Sequence, residues 1–143
     1  ELDEGCFPET LTAPQVGRVM AATYRRWEQD TFDAYCRRFG LPEKKPFKDF
    51  SRGMKMKLAI AVALSHSPRL LVLDEAGSAE ELEMVDVGQL KKAVLERPAG
   101  CECVLTAHTP PQWMLDAADY STEMKCHRHP YQKGVPARKG IEY

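Results

Sequence analysis

The sequence predicts an α/β fold in which a lobe of helices precedes a parallel sheet. An apolar run at 70–73 ends abruptly in Asp74 and Glu75, as a strand does when its carboxyl end opens on a ligand site. Before that run the text is helical. After it, strand-like and helix-like stretches alternate, which implies crossover connections and parallel pairing. The 143 residues are 43% hydrophobic and 29% charged, ordinary for a globular chain with one core.

The elements follow in order. Thr12 can cap a first helix with Pro14 in its first turn and Val16, Val19, Met20, Tyr24 and Trp27 at helical spacing. Asp30 can cap a second, which carries Phe32, Tyr35, Cys36 and Phe39 and stops at Gly40. "LPEKKPFKDF" at 41–50 reads as a Pro-broken basic loop with solvated lysines. A third helix starts at Ser51, and its stretch 58–64 is apolar all round, which demands burial. The run 70–73, bounded by Pro68 and the acidic pair, suits a central strand covered on both faces. Asp86 can cap a helix bearing Val87, Leu90, Val94 and Leu95, which ends at Pro98 and Gly100. "CECVLT" at 101–106 is a strand, "PPQWMLDAA" at 110–118 a short Pro-started helix, and "DYSTEMK" at 119–125 a possible third strand. From Cys126 the chain reads as an irregular tail. Two units are expected, 1–68 and 69–143, with the helices of 12–65 forming a largely separate lobe.

Composition narrows function. With 20 basic and 21 acidic residues the net charge is -1, which argues against a dedicated nucleic-acid surface. No apolar segment is long enough to insert in a membrane. Five cysteines without a paired framework, and no basic-apolar leader, lead to the expectation of reduced thiols in the cytoplasm. Cys126, His127 and His129 are too crowded for usual structural zinc spacing and read as tail.

From about Leu2 to Ala76 the chain resembles the helical subdomain and Walker B strand of an ABC-transporter ATPase. "FSRGMKMKL" at 50–58 stands where that family has its LSGGQ-type signature, with Arg52 and Met54 departing from the usual glycine and glutamine. The resemblance implies that Ser51, Arg52 and Gly53 contact the γ-phosphate of ATP held by a partner subunit, at a helix start that favours anions. It also implies that Asp74 holds Mg²⁺ through water and that Glu75 polarises the attacking water. Its partners would be a second ATPase subunit and a membrane permease subunit. His108 follows a strand at close to the family's interval from Walker B to its switch histidine, so it is a candidate γ-phosphate donor; its other reading is a loop histidine.

From about residue 77 to 143 the chain resembles the C-terminal part of corrinoid adenosyltransferases, through the stretch from Arg97 onward and above all "TEM" at 122–124, "HPY" at 129–131 and "GVPARKGIEY" at 134–143. Those enzymes move the adenosyl group of ATP onto reduced cobalamin, and they too carry a strand ending Leu-Asp-Glu. The two resemblances therefore meet near Ala76, where the transporter family's Thr-Ser-Gly-Leu-Asp gives way to "GSAEELEMVD". "TAH" at 106–108 replaces the second family's usual Thr-Gly-Arg. The sequence has no G-x-x-x-x-G-K-[ST] string, hence no backbone nest or lysine for the phosphates. The expected whole is an incomplete P-loop NTPase-like parallel sheet with an N-terminal helical lobe. It would bind ATP and Mg²⁺ weakly, and a corrinoid is a second possible ligand. The expected function is an ATP-binding fragment inactive alone; the alternatives are an adenosyltransferase remnant and a non-enzymatic folded fragment.

Overall fold

The computed structural model describes residues 7–74 and 87–136. Helices α1 (Ala13–Thr23), α2 (Gln29–Arg38) and α3 (Arg52–Leu64) precede strand β1 (Leu70–Leu73); α4 (Val87–Leu95), β2 (Glu102–Leu105) and α5 (Gln112–Ala117) follow. Short 3₁₀ turns lie at Phe47–Asp49 and Pro130–Lys133. The architecture is α/β: an N-terminal helical lobe leads into a small parallel sheet, consistent with a partial P-loop-like fold.

Thr12 precedes α1, and its amide donates to Gln15 Oε1 at 2.8 Å, which satisfies one of the donors left at a helix start. Val16 is buried and Met20 half-buried, but Val19 is 45% exposed. The helix stops at Thr23 because Tyr24 turns extended (φ -99, ψ 123) and stacks on His66, 4.3 Å between ring centroids. Trp27 thus lies beyond the helix, against Phe32 at 5.1 Å. Helix α2 begins two residues earlier than Asp30 suggests. Glu28 is its extended cap residue, and Phe32 N donates to Glu28 O at 3.1 Å. Asp30 sits inside the first turn, where its charge still complements the dipole.

The 41–50 connection is anchored as well as solvated. Lys44, Lys45 and Lys48 are exposed, while Phe47 and Phe50 are buried and Phe47 meets Phe7 edge-on at 5.4 Å. Phe47 N donates to Leu11 O at 2.8 Å and Lys48 N to Glu9 O at 2.9 Å, so this loop is laced to the segment before α1. In α3, Leu58, Ile60, Ala61, Val62 and Leu64 are buried, as their apolar run requires.

Strands β1 and β2 pair in parallel with Leu70 opposite Glu102 and Leu73 opposite Leu105. Leu71 faces the core, with Leu73, Cys103 and Leu105 half-buried against it. The other face is open: Leu70 is 54% exposed, Val72 56% and Val104 47%. Coverage on both faces is therefore corrected to coverage on one. With two strands among the described residues, β1 is not central. The expected strand at 119–125 is absent as well. The segment has no regular structure, and Tyr120 and Met124 stand almost wholly in solvent, giving it no apolar face to bury.

In α4 the inward residues are Leu90, Ala93 and Val94, whereas Leu95 is exposed. The proposed cap Asp86 lies outside the described residues. Side chains from α1, α2 and α3 join Leu71, Leu90, Val94, Cys101 and Met114 in one continuous core. Arg38 of α2 pairs with Glu96 at 2.8 Å. Buried residues of the helical lobe and of the sheet thus belong to the same apolar cluster.

Candidate functional site

The site is built from the strand ends. Parallel pairing brings both carboxyl ends to the same edge, and the ladder extends one step further: Thr106 N donates to Leu73 O at 3.1 Å. That step sets Thr106 beside Asp74, and the threonine hydroxyl donates to Asp74 Oδ1 at 2.5 Å. Both residues are exposed. His108 is exposed two positions on, in the loop that reaches α5 at Pro111. In open parallel sheets such an edge is where ligands bind.

Ser51, Arg52 and Gly53 occupy a different feature, the start of α3. Ser51 is extended (φ -66, ψ 162), and its Oγ accepts from Met54 N at 3.2 Å, the geometry of an N-cap. Arg52 is exposed and Gly53 buried. Asp74 and Thr106 thus share the strand edge, His108 follows in the loop after β2, and the Ser51–Gly53 group marks a helix end. Glu75 lies outside the described residues.

The donors at the strand edge are a carboxylate and a hydroxyl, hard oxygens of the kind Mg²⁺ takes, directly or through retained water. The carboxylate and the hydroxyl are donor types that fit an octahedral cation which keeps most of its positions for water. Among the described residues, no group of three or more His, Cys, Asp or Glu side chains is placed to hold a metal by itself. Behind the edge, burial pushes the Cys103 thiol up, with Arg97 opposing the shift; Cys103 therefore packs as a neutral side chain. Among the described residues, no helix is long and apolar enough to cross a membrane.

Thr106 is the residue that sequence reasoning missed. Its place in "TAH" was visible, but its partnership with Asp74 depends on the strand register, and no sequence spacing encodes that.

A family model described as ATP:corrinoid adenosyltransferase BtuR/CobO/CobP matches residues 20–143. The match takes in α2, α3 and β1 as well as the C-terminal text. A corrinoid adenosyltransferase of Pseudomonas aeruginosa is 30% identical over 87 residues, 61% of this chain and 43% of its own length. One from Sinorhizobium sp is 29% identical over 75 residues, 52% and 35%. The lantibiotic transport ATP-binding protein SrtF of Streptococcus pyogenes is 34% identical over 67 residues, 46% and 28%. The chain resembles both groups, and it spans less than half the length of each of these relatives.

Proposed function

Since the chain belongs to the ATP:corrinoid adenosyltransferase family, we propose that it supplies the strand-edge wall of an ATP site and neither transfers adenosyl groups nor hydrolyses ATP alone. The observation that carries this reading is the juxtaposition of Asp74 and Thr106 at the carboxyl ends of two parallel strands. Asp74 would hold Mg²⁺ through water, Glu75 would orient a water, and the metal would neutralise phosphate charge. Ser51, Arg52 and Gly53 would present a helix start to phosphate oxygens.

Adenosyl transfer requires the triphosphate anchored while C5′ faces the corrinoid cobalt; hydrolysis requires the γ-phosphate in line with water. Both depend on positioning, and displacement by an ångström can cost about 100-fold in rate. The sequence contains no phosphate loop, and one helix end contributes only about 0.3–1 kcal/mol. Purified chain is therefore expected to show no phosphate release, no cob(I)alamin-to-adenosylcobalamin spectral change, and weak MgATP binding by calorimetry. Turnover that disappears in Glu75→Gln, or a low-micromolar Kd for MgATP, overturns the reading.

The likeness to the transporter ATPase SrtF favours a second reading. In it the Ser51 end of α3 faces ATP on a second ATPase subunit, and a permease is the further partner. MgATP-dependent dimerisation in sedimentation, lost in Ser51→Ala, would select that reading over the first.

A further inference from the structure

We propose that Thr106 is a positioning residue for Asp74, fixing the orientation in which its carboxylate meets a divalent cation; the proposal rests on the metal role of Asp74 given above. Thr106 is tied to β1 twice. Its amide donates to Leu73 O at 3.1 Å, and its hydroxyl donates to Asp74 Oδ1 at 2.5 Å. The backbone bond fixes where the threonine stands, and the β-branched side chain is stiff at χ1, so the hydroxyl is aimed as well as placed. An exposed aspartate otherwise samples several rotamers. Here one oxygen is engaged by the neighbouring strand, so the carboxylate is ordered before any ion arrives. Outer-sphere partners of this kind orient a ligand and raise metal affinity without touching the metal.

The test uses the full chain and Mn²⁺ alone, followed by water-proton relaxation, with circular dichroism confirming the fold of each variant. Thr106→Val removes the hydroxyl at nearly constant shape and should weaken Mn²⁺ binding about tenfold, the lower end of the loss expected for an outer-sphere partner. Thr106→Ser should restore most of the affinity, and Asp74→Asn should abolish binding. If Asp74→Asn abolishes binding while Thr106→Val binds as wild type, the positioning role is overturned and the role of Asp74 stands. If Asp74→Asn binds as wild type, both fall together.

Discussion

Glu28 shows how one exposed side chain can organise a junction. Its carboxylate accepts from Ser67 Oγ at 2.6 Å and Thr31 Oγ1 at 2.9 Å, while its amide donates to Ser65 O at 2.8 Å. Ser67 itself is held at φ 52, a left-handed conformation that costs a non-glycine residue energy. The contacts therefore staple the start of α2 to the strained turn that launches β1. The bonds from Ser67 and Thr31 favour the ionised form and lower the Glu28 pKa below its ordinary 4.5. A depressed carboxylate contributes stability that is present above the unfolded value and lost as pH falls through the folded one. Glu28→Gln should therefore be less stable than wild type at neutral pH, and the gap should narrow below about pH 4.5; urea titrations across that range check it. Composition made the cysteines legible as thiols, and Cys36, Cys101, Cys103 and Cys126 are free. The rise of the Cys36 pKa to about 12 was not legible, because it comes from burial.

Among elements, α1 and α2 meet through a glycine. A Cβ on Gly17 would lie 2.7 Å from Phe32 Cε1 and 2.9 Å from Cδ1, against a ring that is fully buried. Gly17→Ala gains about 1 kcal/mol of helix propensity. The ring has no room to retreat, however, and overpacking costs about 1–3 kcal/mol. The expected outcome is a net destabilisation of up to about 2 kcal/mol in denaturant unfolding, opposite in sign to the effect on an isolated helix. Helix existence was legible in the spacing of Val16, Phe32 and Leu58, all of which became core. Inward faces were less so. Val19 and Leu95 satisfied the periodicity and stayed outside, while Gly17 and Ala93 turned inward. Small residues mark where elements approach closely, and periodicity counts only large ones.

Across the molecule, parallel pairing was legible because two strand-like runs enclosed a helix-like one. The shared core was not, since nothing in the text of α1 to α3 says that Leu90, Cys101 and Met114 will complete it. The strand edge was half legible: Asp74 announced itself by ending an apolar run, whereas Thr106 needed the register of β2. That same register has a consequence for the order in which the chain acquires structure. Leu70 finds Glu102 only across the long connection between the two strands, whereas the hydrogen bonds inside α1, α2 and α3 each join residues four apart. Closing the long loop costs entropy before any strand bond repays it, so the helices should form first and the sheet last. In pulse-labelled hydrogen exchange during refolding, the α3 amides should gain protection before those of β2. Sheet protection that leads the helices would show that the strand edge is the nucleus of this fold.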